Sequence, residues 1–299
     1  MPKNTFGYIL LIVTAILWGS GYVPQHVGAK ILPPFSFNAG RFLIATVVLS
    51  FIWLAICIYK KDTKICNQKL FALGGILAGT WLFAGYSFMQ MGLQYTTAGN
   101  AGFITSMYIV LVPVLGLLIK QKTQLSTWLG VSLAVFGLYT LSIADNFQIN
   151  RGDGLVFLGA FFWAAHVLTL GWLSRHVDDL LGITVIQFLV GTIWSIPQAL
   201  LIEDVGITDY QKALAPLLYS ALIVSGLAFT LQIIGQRTVN ESIAAIILSG
   251  EAVFALFFGW LILDEPIGNR QLMGCSFMII GIVVSQWAES KNLISTADT

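Results

Sequence analysis

The stretch Leu248–Val284 reads LSGEAVFALFFGWLILDEPIGNRQLMGCSFMIIGIVV and contains two apolar runs joined by a short polar link. An α-helix needs about 20 mostly apolar residues to cross the hydrocarbon core of a bilayer, and each run approaches that length. A single acidic residue, Glu251, lies inside the first run. The pattern therefore predicts two membrane helices joined by a tight turn, one of which carries a carboxyl group at membrane depth.

The composition of the whole chain agrees with this local pattern. The 299 residues are 57% hydrophobic and 10% charged, whereas about a quarter of the residues of an ordinary soluble domain are charged. A soluble fold of this size would expose too much apolar surface, which excludes soluble enzymes and nucleic-acid-binding proteins. The net charge of +1 provides no strong field for a polyanion. The lipid bilayer is therefore the expected surroundings of the chain.

We predict ten transmembrane helices. The apolar runs are continuous rather than alternating, which favours helices over a closed barrel, and backbone pairing in lipid permits only these two structures. The predicted spans are residues 6–24, 35–58, 70–91, 97–119, 126–144, 152–172, 180–202, 214–235, 240–262 and 269–287.

Basic residues indicate how these helices are oriented, because loops on the cytoplasmic side carry an excess of Lys and Arg. With a cytoplasmic N-terminus, most basic loop residues fall inside and only Lys30, Arg151, Lys212 and Arg270 fall outside. We therefore expect a multi-pass protein of the cytoplasmic (inner) membrane with both termini in the cytoplasm.

The two halves of the chain repeat each other weakly. RFLIAT at 41–46 matches QFLVGT at 187–192, and the pairs Trp18 and Trp163, and Ser106 and Ser249, recur at nearly the same offset. The repeats would span residues 1–147 and 148–290, followed by a short cytoplasmic tail at 291–299. Because each half has five helices, an odd number, the second copy enters the membrane upside down. Inverted repeats around a midplane site are the usual design of secondary transporters.

Three motifs resemble the EamA-type branch of the drug/metabolite transporter superfamily. They are LWGSGYV at 17–23, FITSMYIVLVPVLGLLI at 103–119 and the stretch 248–284 quoted above. The resemblance implies ten spans, a central cavity and no ATP, but not one particular substrate. Ala252 stands where the family commonly has Pro, which predicts a straighter ninth helix.

Glu251 is the strongest functional candidate. A charged carboxylate in mid-membrane costs about 2.5–3.5 kcal/mol on insertion scales, so the group must be protonated, paired or exposed to water. It could couple transport to protons or bind an amine of the substrate; alternatively, it is a protonated residue that only bonds a neighbouring helix. Its counterpart in the first repeat is Tyr108, which places both residues near one shared site.

Other polar and aromatic residues could form the walls of a substrate cavity. Against this, Trp and Tyr often belong to the interfacial belt, and Gln or Asn often join helices. The candidates besides Glu251 and Tyr108 are Trp18, Tyr22, Trp81, Tyr86, Gln90, Asn100, Trp163, His166 and Gln232. Two charged residues have structural interpretations that we favour: Arg41 as a structural residue rather than a ligand for a substrate carboxylate, and Glu241 as a helix cap.

The sequence lacks the motifs of ATP hydrolysis, of dinucleotide binding and of zinc proteases, and its three cysteines have no metal-binding spacing. We therefore expect no cofactor, no metal and no enzyme activity. The leading hypothesis is a secondary transporter that exports an amino acid or related metabolite, with proton coupling left open. Uptake of a metabolite or cofactor by the same fold is the alternative, and a lipid-handling intramembrane protein is a weaker one.

Overall fold

A computed structural model describes residues 3–60, 68–96, 98–121, 123–142 and 151–297, and these residues are almost entirely helical. The helices before residue 143 are α1 (Lys3–Ala29), α2 (Pro34–Lys60), α3 (Gln68–Gly92), α4 (Ala98–Thr105), α5 (Tyr108–Leu118) and α6 (Leu125–Ser142). Those after residue 150 are α7 (Arg151–His176), α8 (Leu180–Ile202), α9 (Ile207–Lys212), α10 (Leu214–Tyr219), α11 (Phe229–Gln236), α12 (Glu241–Leu248), α13 (Glu251–Leu263) and α14 (Asn269–Ala297). The proposed boundary between the repeats, at residues 147 and 148, lies outside the described residues.

Eight helical segments of the described chain are long and apolar enough to cross a membrane. They correspond to eight of the ten predicted spans. The other two predicted spans, 126–144 and 269–287, coincide with α6 and α14, whose apolar parts are the shorter stretches Leu125–Gly137 and Leu272–Val284. Helix α14 also continues to Ala297, through residues that we expected to form a tail.

The fourth and ninth spans are broken at matching points. The fourth span divides between α4 and α5 after Ser106, and the ninth divides between α12 and α13 after Ser249. The Ser106 hydroxyl donates a hydrogen bond to the Ser249 carbonyl at 3.3 Å, so the two breaks touch. The ninth helix is thus interrupted despite Ala252, because the break falls just before that position. Each of these spans is followed by a non-glycine residue with positive φ, Lys120 after α5 and Asp264 after α13.

The eighth span contains a segment of different helical geometry. Residues Ser220–Ala228, between α10 and α11, form a π-helix, which we name the π segment. Such wider turns are rare and occur often at functional sites. The π segment packs against α1 and α2, and it turns Val224 and Ser225 inwards, where both are buried.

Helices at equivalent positions of the two halves pack in opposite directions. The carboxylate of Glu203, at the end of α8, accepts hydrogen bonds from the Phe35 and Ser36 amides at the start of α2. At the other end of this pair, the Trp53 indole donates to Asp179, which caps the start of α8. Helices α2 and α8 therefore run antiparallel.

Helices α6 and α14 are also antiparallel, and two glycines hold them close. A Cβ atom on Gly137 would lie 2.6 Å from the Gly274 carbonyl oxygen, and one on Gly281 would lie 2.7 Å from the Gly130 carbonyl oxygen. Either contact is closer than real Cβ atoms come to other atoms, so both positions require glycine at this separation. The two contacts mirror each other across the helix pair.

The most extensive helix contacts join an element before residue 143 to one after residue 150. They are α6 with α14, α3 with α7 and α8, α2 with α8, and α1 with α13 and α11. The main apolar core follows the same pattern, because Leu11, Leu82 and Val112 share one buried cluster with Val156, Phe188 and Ile243. The two halves thus build one core together.

Candidate functional site

A cavity lies in the middle of the helix bundle, beside the two helix breaks. Its walls come from α1, α3, α4, α5, α7, α13 and the π segment. The lining residues are Trp18, Tyr22, Gln25, Tyr86, Met89, Thr105, Tyr108, Trp163, Val167, Val224 and Glu251. A mostly apolar cavity with a few polar groups is typical of a site for a small organic ligand.

Aromatic rings form one side of the cavity. The Tyr86 and Trp163 rings meet edge to face with centroids 4.7 Å apart, and Trp18 lies 4.9 Å from Phe229 and 6.2 Å from Trp163. The indole nitrogens of Trp18 and Trp163 are buried and have no hydrogen-bond partner among the described residues. Because buried polar groups are nearly always paired, these two N–H groups are donors available to a ligand or to water.

Glu251 forms the opposite side of the cavity, at the first turn of α13, and its side chain is buried. The hydroxyl groups of Tyr108 and Ser106 lie nearby. Within the described part of the chain its Oε1 atom has no hydrogen-bond partner, and neither has the Tyr108 hydroxyl. A helix N-terminus favours negative charge, so this position suits a carboxylate that releases and takes up a proton or binds a cation.

Arg41 lies directly behind the cavity wall and is completely buried. Its guanidinium donates to the Gln25 amide oxygen at 2.7 Å and to the Ser225 hydroxyl at 3.0 Å, and it lies 3.9 Å from the centre of the Tyr86 ring. None of these partners is acidic. Gln25 and Tyr86 both line the cavity, and Ser225 follows the lining residue Val224.

Six of the candidates proposed from the sequence line this cavity: Trp18, Tyr22, Tyr86, Tyr108, Trp163 and Glu251. Three others lie elsewhere in the bundle. Gln90 donates to the Gln25 carbonyl at 3.2 Å, Trp81 packs against Phe162, and Gln232 is buried in α11. Asn100 belongs to α4, but its side chain is outside the described part of the chain.

His166 is buried next to the cavity rather than in its wall. Its Nε2–H group donates a hydrogen bond to the Gln187 amide oxygen at 2.8 Å, and its ring lies edge-on to Trp163 and Phe229. Gln187 is the counterpart of Arg41 in the repeat. This arrangement joins α7 to α8 and holds Trp163 from behind.

Five lining residues were not predicted from the sequence: Gln25, Met89, Thr105, Val167 and Val224. Helical spacing was the signal for three of them. Gln25 follows Tyr22 by one turn on α1, Met89 follows Tyr86 on α3, and Val167 follows Trp163 on α7.

Glu241 does not cap its own helix as expected. Asn240 takes that role, because its side chain accepts a hydrogen bond from the Ser242 amide. Glu241 instead forms an ion pair with Arg175 at the end of α7, and its side chain lies against Gly171. Trp163, Val167, Gly171 and Arg175 follow each other at four-residue spacing on one face of α7. This face runs from the cavity to the ion pair.

The profile of the EamA-like transporter family matches residues 5–143 and again residues 150–287. The chain belongs to this family. Both matches together cover almost the whole described chain, and the resemblance inferred from the three motifs is confirmed. The chain is thus a multi-pass membrane protein with two EamA repeats.

Several relatives match nearly the whole of this chain, and two of those described here carry transporter names. An uncharacterized transporter of Archaeoglobus fulgidus is 31% identical over 289 residues, which cover 94% of this chain and 86% of that protein. The uncharacterized transporter YetK of Bacillus subtilis is 28% identical over 95% of this chain and 88% of its own length. A WAT1-related chloroplastic protein of Arabidopsis thaliana is 23% identical over 95% of this chain and 70% of its own length.

A solved crystal structure has the same fold. It superposes with a TM-score of 0.75 over 97% of this chain and 98% of the other chain, at 16% sequence identity. At that identity the likeness is one of architecture. Family and relatives together identify this chain as a membrane transporter for small molecules.

Proposed function

We propose that this protein is a secondary active transporter that moves a small organic metabolite by alternating access around the central cavity. One observation carries the proposal: residues at equivalent positions of the two repeats meet in or beside this cavity. Trp18 lies 6.2 Å from Trp163, and Ser106 bonds Ser249. Tyr108 and Glu251, which begin the second halves of the broken spans, lie close together.

An inverted repeat explains this meeting of equivalent residues. When a two-fold axis lies in the membrane plane, equivalent helices run in opposite directions, and residues near the axis contact their own counterparts. The antiparallel pairs α2 with α8 and α6 with α14 support such an axis. We therefore propose that α6 and α14 also cross the membrane, which makes ten spans in two repeats, residues 1–147 and 148–290.

The cavity favours a small amphipathic cargo with an amine. The rings of Trp18, Tyr22, Tyr86 and Trp163 offer apolar and cation–π contacts, and Glu251 offers an anionic partner for an ammonium group. We propose an amino acid or a related compound as cargo, with export across the cytoplasmic membrane and both chain termini in the cytoplasm. Uptake by the same cycle is the alternative.

The proposal is tested by transport into sealed vesicles that contain the purified protein. Counterflow of labelled amino acids is measured without a pH gradient, and net flux is measured with a gradient of either sign. Counterflow shows transport, and the gradient that accelerates net flux shows the direction of proton movement. The same measurements are made on Glu251→Gln, with Glu265→Gln in the loop after α13 as the matched control.

Two results distinguish the roles of Glu251. If it couples protons, Glu251→Gln keeps counterflow but loses the response to a pH gradient. If it binds the amine, the variant loses both. If Glu251→Gln behaves like wild type in both assays, both roles are refuted. If no amino acid shows counterflow, the proposed cargo is refuted.

A further inference from the structure

Residues of both repeats line the cavity, but the repeats place unlike charges around it. Glu251 has Tyr108 as its counterpart, and Arg41 has Gln187 as its counterpart. In each pair only one residue can carry a charge at neutral pH. The cavity therefore has one acidic side and one basic side. Tyr86 lines the cavity together with Glu251, and its ring contacts the Arg41 guanidinium.

Within the part of the chain that the structure describes, the residues given as contacting Arg41 carry no negative charge. Among the described residues, its hydrogen-bond partners are the neutral Gln25 and Ser225, and its other contacts are the rings of Phe42 and Tyr86. A fully buried guanidinium normally has a carboxylate or phosphate as partner, because an isolated buried charge is strongly unfavourable. A guanidinium with only these neutral partners is therefore suited to pair with an anionic group nearby.

Gln25 links the buried Arg41 to the cavity. Its amide oxygen accepts from Arg41 and its amide nitrogen donates to the Gly21 carbonyl, which fixes the orientation of the amide. The nitrogen carries two hydrogens, so one N–H remains for an acceptor. Gln25 lines the cavity, and an anionic group bound against it lies one side chain away from the guanidinium.

We propose that Arg41, acting through Gln25, selects cargo that carries an anionic group, and that this group binds at the Gln25 and Tyr86 side of the cavity while a cationic group binds at Glu251. The inference rests on the proposed transport function, since it requires a cargo in this cavity. It adds an orientation for that cargo and names a specificity-determining residue. A carboxylate is the anionic group that fits a small amphipathic metabolite, because guanidinium groups recognise carboxylates well.

The test uses three probes of the same carbon skeleton: leucine with both charges, leucinamide with only the positive charge, and 4-methylpentanoate with only the negative charge. Ligand-induced thermal stabilisation of the purified protein measures the binding of each probe. Wild type is expected to bind leucine most tightly. Nicotinate and nicotinamide form a second acid and amide pair that lacks an aliphatic amine.

The decisive variant is Gln25→Glu, which gives Arg41 a carboxylate inside the protein and leaves the packing volume almost unchanged. Because the new carboxylate pairs with Arg41 and repels anions, leucine binding falls about tenfold or more while leucinamide binding is retained. Arg41→Gln, which copies the counterpart residue Gln187, is expected to show the same selectivity change. Gln25→Ala is the comparison for loss of the side chain alone.

Three outcomes separate this inference from the proposed function. If acids and amides bind wild type equally, or if Gln25→Glu weakens leucine and leucinamide to the same extent, the role of Arg41 is refuted and transport is untouched. If nicotinate binds and depends on Gln25 but no amine-bearing probe does, the amino acid cargo is refuted and the role of Arg41 holds. If no acid in either pair stabilises the wild type, the role of Arg41 is refuted.

Discussion

Gly19→Ala tests the contact that positions Glu251. Gly19 lies on α1 against the first turns of α13, and an added Cβ would be 2.7 Å from the Glu251 carbonyl oxygen and 2.3 Å from the Phe254 Cβ. Ordinary van der Waals contact begins near 3.4 Å. To relieve the contact with the Glu251 carbonyl oxygen, α13 would have to move away by about 0.7 Å, the difference between 3.4 and 2.7 Å. Backbone atoms cannot rotate away as a flexible side chain can.

The size of the effect follows from this displacement. Overpacking of a tight contact costs about 1–3 kcal/mol, so the variant is expected to unfold at lower temperature than wild type. Because Glu251 moves with its helix, we also expect transport to fall by about tenfold or more, since displacements near 1 Å at a reacting or binding group have effects of that order.

Gly154→Ala is the matched control. Gly154 is exposed on α7, and no atom lies within 4 Å of an added Cβ. The same chemical change there is expected to stabilise the helix by about 0.5–1 kcal/mol and to leave transport unchanged. Thermal unfolding and counterflow are measured for both variants side by side. If Gly19→Ala is as stable and as active as Gly154→Ala, the close approach of α1 and α13 does not position Glu251.

Three further predictions concern other parts of the molecule. Gly137→Ala and Gly281→Ala are each expected to destabilise the protein by about 1–3 kcal/mol in thermal unfolding, and clearly unequal losses would contradict the mirrored packing of α6 and α14. Asp179→Ala removes a helix cap and the acceptor of an indole hydrogen bond, so we expect a loss of about 1–2 kcal/mol, whereas an unchanged unfolding temperature would refute the role of the cap. The Lys212 ammonium, together with the Gly206 amide, holds the pKa of Asp209 below its usual range; Lys212→Met is expected to raise that pKa. The Asp209 carboxyl carbon is followed by NMR during a pH titration, and an unchanged pKa would refute the role of Lys212.

Eight of the ten predicted spans correspond to helices that are long and apolar enough to cross a membrane, because hydropathy largely determines which segments enter a bilayer. The sequence did not predict where helices break. The interruptions after Ser106 and Ser249 contain no proline, and the π segment has an ordinary apolar composition. Local helix propensity therefore predicts neither the interruptions nor the π segment. These irregularities depend on the partner helices that satisfy the backbone.

The site was predictable to the extent that helical spacing and mid-membrane charge indicate it. Glu251 and the Trp18 and Trp163 pair were identified because charge in lipid is costly and because the repeat aligns them. His166 and Gln232 were assigned to the cavity because they are polar, but polar side chains also join neighbouring helices. The neighbour that a helix face contacts is determined by the tertiary packing. The periodicity of a single helix does not predict it.

The contacts between the two halves of the chain have a consequence for its folding during synthesis. A ribosome delivers α1–α6 to the membrane before α7–α14 exist, yet the most extensive contacts of α1, α2, α3 and α6 are with helices of the later half. During synthesis the early helices can lie in the bilayer, but their polar faces, including Arg41, still lack Ser225 and the other later partners. Tertiary folding must therefore await the second half, and two separately synthesised halves would need each other to escape degradation.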